Sequence, residues 1–157
     1  MQGDGNGFVI LSTGQRLWGL HGAAGLFLLS AQKTVLLQLR AQWTNQGGTW
    51  GLPGGARDSH ETAVEGALRE AEEETGIPAS QVTVRVAEVT AENEGWTYTT
   101  VIATCPEELT TTANEESEEL RWIPLDSIAD LPLLPAFRAS LPEVLDLVRS
   151  HVPPEIL

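Results

Sequence analysis

Apolar residues recur in this chain at two spacings. GLFLLS (25–30) and TVLLQLR (34–40) are apolar runs of strand length joined by a polar turn at Ala31-Gln32-Lys33, so each reads as a strand. GFVIL (7–11) and QRLWG (15–19), split by Ser12-Thr13-Gly14, predict a hairpin within an N-terminal extension, residues 1–20. VTVRVAEVTA (82–91), WTYTTVIATC (96–105) and LRWIPL (120–125) supply three more strands. Leu141, Val144, Leu145 and Val148 fall at helical spacing, which places a C-terminal helix from about Pro135 to His151. The glycine-rich stretch 44–57 and the acidic stretch 108–119 read as loops. Strands flanked by helices predict an α/β sandwich with a mixed β-sheet.

One further helix carries an unusual load. Thr62 and Glu65 form a capping-box pattern, Gly76 is suited to a left-handed C-terminal cap, and Pro78 blocks continuation. The helix therefore runs from about Ala63 to Thr75. Within it, REAEEETG (69–76) holds Glu70, Glu72, Glu73 and Glu74. At about 100° per residue, Glu70, Glu73 and Glu74 cluster on one face, while Val64, Ala67, Leu68, Ala71 and Thr75 form a separate buried face and Glu72 points elsewhere. Like charges at this spacing repel by a few tenths of a kcal/mol per pair. Three clustered oxygen donors are what a hard divalent cation requires, and the cation removes the repulsion.

Composition narrows the classes. At 157 residues and 41% apolar content, the chain predicts one globular domain, residues 1–157. Its 22 acids against 9 bases leave a net charge of −13 and no basic stripe, so duplex nucleic acid is not an expected partner. No apolar run reaches the roughly 20 residues of a membrane span. MQGDGNGF lacks the features of a signal peptide, and Cys105 is the only cysteine; a cytoplasmic location is the expectation. Cys105 lies in the apolar run VIATC and reads as buried filler. His21, His60 and His151 form no cluster in sequence, so zinc is not expected.

From Gly55 to Ile77 the chain reads G-ARDSH-E-TAVEGAL-REAEEETGI. This resembles the Nudix box, Gx5Ex7REUxEExGU, at every defined position, and a chance match per window is on the order of one in a billion. The resemblance covers essentially the whole chain and implies the Nudix α/β/α sandwich. It implies hydrolysis of a nucleoside diphosphate linked to another moiety, with Mg²⁺ or Mn²⁺ held by Glu70, Glu73, Glu74 and the Gly55 carbonyl. Arg69 is expected to orient these ligands and Glu61 to pair with an arginine. The general base is one of the ligands or a glutamate of the 114–119 loop, with Glu116 first and Glu115 and Glu119 behind it. Arg40 and Arg57 are the candidate phosphate contacts, and Trp50, Trp96 and Phe137 the candidate stacking residues. Trp18 and Trp122 are expected to pack.

The flanking QGGTWGLPGGARDSHET and WTYTTV resemble a MutT-like actinobacterial branch named for 8-oxo-dGTP diphosphatases. Enzymes of that kind that read 8-oxoguanine carry an Asn shortly after a Pro; here the sequence is Leu134-Pro135-Ala136-Phe137. An oxidised or non-standard nucleoside triphosphate is the first expectation for substrate. ADP-ribose, a nucleotide sugar or a dinucleoside polyphosphate is the second, and a ligand sensor without turnover the third. A homodimer is compatible with the exposed aromatics of the N-terminal hairpin.

Overall fold

A computed structural model describes residues 3–44 and 46–157. Met1 and Gln2 of the expected extension, and Asn45 of the glycine-rich stretch, lie outside the described residues. The strands are β1 (Phe8–Ile10), β2 (Arg16–Trp18), β3 (Ala23–Ser30), β4 (Thr34–Arg40), β5 (Trp50–Gly51), β6 (Gly54–Ala56), β7 (Thr83–Asn93), β8 (Trp96–Cys105) and β9 (Ser117–Pro124). The helices are α1 (Ala63–Thr75) and α2 (Pro135–His151). β1 and β2 form the separate N-terminal hairpin, and the other seven strands form one sheet. Its path is β5-β4-β3-β8-β7, with β6 added to β3 and β9 to β4. The β3–β8 pair is parallel and the remaining pairs are antiparallel, so the sheet is mixed as expected.

β3 is the spine of the core. All eight of its residues are buried, and its side chains alternate between two layers. Ala24, Leu26 and Leu28 face α1, where they meet Ala67, Ala71 and Ile77. Phe27 and Leu29 face α2, where they meet Leu141, Val144 and Val148. This is the period-2 alternation of a strand covered on both sides, and each large side chain so buried contributes about 1.5–3 kcal/mol. No helix of the described residues is long and apolar enough to cross a membrane.

The sheet is opened deliberately at one end. β3 and β4 share a pair only at Leu29 and Val35, next to their turn. Beyond it they part, and the gap takes β5 against β4 and β6 against β3. The stretch expected to be all loop therefore contains two short strands. Backbone packs on backbone in this wedge: a Cβ on Gly54 would lie 2.3 Å from the Ala24 carbonyl oxygen and 2.6 Å from the Gly25 Cα. A Cβ on Gly25 would in turn lie 1.9 Å from the Tyr98 hydroxyl. Glycine is required at both positions by contact, not by dihedral freedom.

Local signals fix both ends of α1. Thr62 Oγ1 accepts from the Glu65 N–H at 3.1 Å, and Glu65 Oε1 accepts from the Thr62 N–H at 2.8 Å. Gly76 adopts φ 80° and donates to the Glu72 carbonyl at 2.8 Å. The strand after the acidic loop begins at Ser117, three residues ahead of the expected Leu120, because β9 pairs along the whole of β4 as far as Arg40. Trp122 packs against the α1-side core. Trp18 departs from expectation: it is exposed, with its ring edge-on to Phe8 at 5.0 Å. Cys105 is buried.

Thr62→Ala removes one half of the capping box and is expected to lower unfolding stability by about 1 kcal/mol, read from urea unfolding monitored by tryptophan fluorescence.

Candidate functional site

The open wedge of the sheet, the start of the glycine loop and one side of α1 converge on a group of carboxylates. Arg69 organises them. Its Nε donates to Glu61 Oε2 at 2.7 Å, Nη2 to Glu61 Oε1 at 3.0 Å and to the Ala56 carbonyl at 3.1 Å. Its Nη1 donates to Glu70 Oε1 at 3.0 Å and to Glu73 Oε1 at 3.3 Å. The Glu61 hydrogen bonds, followed by the charge of Glu70, hold the guanidinium firmly protonated against the cost of its burial. In return, the Arg69 hydrogen bonds pull the Glu61 carboxyl below the usual carboxylate range.

Glu74 stands apart from this guanidinium. The sequence phase assigned it to the exposed carboxylate face, yet it is only 5% exposed. Oε1 accepts from the Gly54 N–H at 2.7 Å, and Oε2 accepts from Gln38 Nε2 at 3.2 Å. Gln38 is itself fixed by donating to Ser117 Oγ at 2.6 Å. Burial pushes the Glu74 carboxyl up to about 8, against the lowering effect of these hydrogen bonds, and the charges of Glu70 and Glu116 add to the rise. Glu70 is also raised, mainly by burial, with Arg69 opposing. Glu116 is exposed and close enough for its charge to act on both.

The donor set suits a hard cation. Carboxylate oxygens dominate it, and two of the carboxyls, Glu70 and Glu74, are raised, first by burial and then by neighbouring acids. The backbone is shaped for the same purpose: a Cβ on Gly55 would lie 2.7 Å from the Glu70 carboxyl carbon, so the missing side chain is the space in which that carboxylate sits. Glu73 is the outermost donor, with 57% of its side chain exposed. Among the described residues, Asp58, His60 and Glu61 have ligand atoms within 4.8 Å of one another. The acids of that group are already engaged, Glu61 by Arg69 and Asp58 by the Gly5 N–H at 2.9 Å.

The other predicted residues separate. Arg40 ends β4, two residues after Gln38, and its N–H donates to the Thr49 carbonyl at 2.9 Å. Arg57 lies against Gly66, one turn before Glu70 on α1, and its buried Nε has no hydrogen-bond partner. Phe137 is 6% exposed in the α2-side core, so it is a packing residue and not a stacking platform. Trp50 is buried in the same cluster, with the Arg121 guanidinium 5.5 Å from its ring centroid. Trp96 donates from Nε1 to the Gly19 carbonyl at 3.2 Å and so holds the N-terminal hairpin. Of the two glutamates ranked behind Glu116, Glu119 pairs with Arg121, 2.5 Å away. Sequence reasoning missed Gln38, although a lone amide within TVLLQLR was the available signal. It also missed Asp58, which no local pattern distinguishes.

Comparison with known proteins identifies the family. The NUDIX domain profile matches residues 19–147. A protein of Mycobacterium tuberculosis named "Putative 8-oxo-dGTP diphosphatase 3" is 52% identical over 149 residues, spanning 89% of this chain and 69% of that one. The crystal structure of a Nudix hydrolase from M. smegmatis, RenU, is 51% identical and superposes with a TM-score of 0.89 over 95% of this chain and 98% of that one. A C. elegans Ap4A hydrolase at 19% identity shares the fold, with a TM-score of 0.67 over 82% of this chain and 98% of that one. The box, the sheet and these matches make the chain a member of the NUDIX domain family and a Nudix hydrolase.

Proposed function

We propose that the protein is a Mg²⁺-dependent nucleotide pyrophosphatase that removes oxidised or non-standard nucleoside triphosphates, with Mn²⁺ as a working substitute. The observation that carries the metal site is the Glu70–Glu74 pair: a half-buried carboxyl lying in the space left by Gly55 and a buried one bound to Gly54 and Gln38. Glu70, Glu73 and Glu74 would hold the cation, with the Gly55 carbonyl as a further donor. When bound, the cation supplies charge neutralisation of the pyrophosphate and acidification of an attacking water.

The chain's own residues do the positioning. Arg69 fixes the rotamers of Glu70 and Glu73, so these carboxylates need no reorganisation when substrate arrives. Gly54 and Gln38 occupy one oxygen each on Glu74, which limits how its remaining lone pairs can point. Glu116, exposed and close enough for its charge to act on Glu70 and Glu74, is suited to accept the proton of the attacking water. Arg40 is assigned to the phosphates. The relatives' names favour 8-oxo-dGTP as the substrate class, and the buried Phe137 means that base recognition here does not use an amide at that position. A cytoplasmic site of action fits a nucleotide substrate.

Hydrolysis of 8-oxo-dGTP is expected to exceed that of dGTP at least about tenfold in kcat/KM, which a panel with ADP-ribose and dinucleoside polyphosphates would measure. Faster turnover of ADP-ribose than of any triphosphate would move the protein to the second substrate class. Chelation of divalent ions is expected to abolish release of product, and Glu74→Gln to lower kcat by about 100-fold or more. A Glu74→Gln variant with unchanged kcat would remove that residue from the site.

The raised Glu74 carboxyl gives a stability signature of the opposite sign. An acid whose pKa is higher in the fold than in the unfolded chain binds more protons when folded, so stability is present at low pH and lost as pH rises through the folded value. The metal-free protein is therefore expected to lose melting temperature between about pH 5 and 8, using the value near 8 for Glu74. Glu74→Gln should flatten that slope, and Mg²⁺ should raise the melting temperature most at the alkaline end. Thermal scans across pH, with and without the ion, test all three.

A further inference from the structure

Asp58 is a buried acid to which the family chemistry above gives no task. Its side chain is 8% exposed, and both carboxylate oxygens are directed. Oδ1 accepts from the Gly5 N–H at 2.9 Å. Oδ2 lies 3.6 Å from Arg69 Nη2, the same nitrogen that donates to Glu61 and to the Ala56 carbonyl. The Asp58 N–H donates to Glu61 Oε1 at 2.9 Å, and the Glu61 N–H to the Asp58 carbonyl at 3.1 Å, which ties Asp58 to the acid that grips Arg69.

The other side of Asp58 is covered by the N-terminal segment, and the cover is shaped to it. A Cβ on Gly3 would lie 1.8 Å from Asp58 Oδ2, and one on Gly5 would lie 2.1 Å from the Arg57 carbonyl oxygen. Between them Asp4 accepts from the Ser59 N–H at 2.8 Å and from the Ser59 hydroxyl, and it lies 3.7 Å from His21 Nε2. The Gly5 carbonyl accepts from the Leu20 N–H at 2.9 Å, which secures the segment to the link between β2 and β3. Gly3, Asp4 and Gly5 thus form a strap that closes over a carboxylate and excludes water from it.

We infer that Asp58 is a positioning residue, through which the N-terminal strap sets the orientation of Arg69 and thereby of Glu70 and Glu73. At 3.6 Å Asp58 makes no hydrogen bond to Arg69 and acts on the guanidinium by charge across a gap that the strap shields from water. Arg69 has one planar fork to divide among four acids, so the constraint from Asp58 on Nη2 fixes where Nη1 presents itself to Glu70 and Glu73. The inference rests on the metal reading of those glutamates.

The test is Mn²⁺ binding to the full-length protein by titration calorimetry, with no nucleotide present, alongside thermal melting. Asp58→Asn retains an oxygen for the Gly5 N–H but sets an amide against Nη2; it is expected to weaken Mn²⁺ about tenfold and to lower kcat while KM for the nucleotide changes less than twofold. Gly3→Ala alters no group of the acidic cluster and is expected to shift Mn²⁺ affinity in the same direction by a smaller factor. A folded Asp58→Asn protein with wild-type Mn²⁺ affinity overturns the inference, even if its melting temperature has fallen, since that is the result of a structural role alone. Should Asp58→Asn fail to fold, wild-type affinity in Gly3→Ala overturns it. Wild-type protein that binds Mn²⁺ in an Asp58-dependent way yet hydrolyses no nucleotide would sink the hydrolase reading and leave this one standing, whereas wild-type protein that binds no Mn²⁺ sinks both.

Discussion

One guanidinium faces four carboxylates. Arg69 touches Glu61, Glu70 and Glu73 directly and lies 3.6 Å from Asp58. In a chain with a net charge of −13, that arrangement is the condition on which the rest of the site depends. Without it, acids from the glycine loop and from α1 would repel across a short gap, and the loop would lift from the helix. With it, the loop is tied down through Ala56 and Glu61, and β6 can remain on β3. An arginine suits the place because its five donors are planar and forked, whereas a lysine would offer a single point of charge.

The second constraint is the splaying of β3 from β4. Their turn holds one pair, and the separation that follows lets β5 and β6 enter the sheet. Gly54 thereby points its N–H at Glu74, while Gln38 approaches the same carboxylate from β4. A helix residue is thus gripped by two strands that a regular hairpin would have kept too close together. The grip on Glu74 follows from a local failure of strand pairing, built with glycines where backbones touch.

Local features were legible in the sequence and tertiary ones were not. Thr62, Glu65, Gly76 and Pro78 define α1 by chemistry contained within a few residues, and the helix lies where they put it. The Glu70–Glu73–Glu74 face was also visible, but the depth of Glu74 was not taken from it. Its helical phase lies roughly 20° from that of Ala67, closer than to Glu70, so its burial is a matter of position at the edge of the apolar face. Trp50 invites a stacking role because it flanks a loop, and Phe137 because it follows Pro135 where related enzymes carry an Asn; the α2-side core holds both instead. β5 and β6 are too short for any periodicity. Asp58 reads as a surface acid in RDSHE because its partner Gly5 is 53 residues distant.

The contact among Gly54, Gly25 and Tyr98 bears on how this corner of the protein can change over time. Gly25 leaves room for the Tyr98 hydroxyl, and Gly54 lies on Gly25 with no room for a methyl group. A side chain at position 25 requires Tyr98 to move or shorten and then meets Leu52, while one at position 54, whose N–H donates to Glu74, meets the backbone of Ala24 and Gly25. The two glycines thus answer to different neighbours, position 25 to the end of a side chain that can be shortened and position 54 to backbone that cannot. Substitution at the wedge therefore carries a steric cost in backbone contacts that the exposed faces of β7 and of the hairpin do not impose.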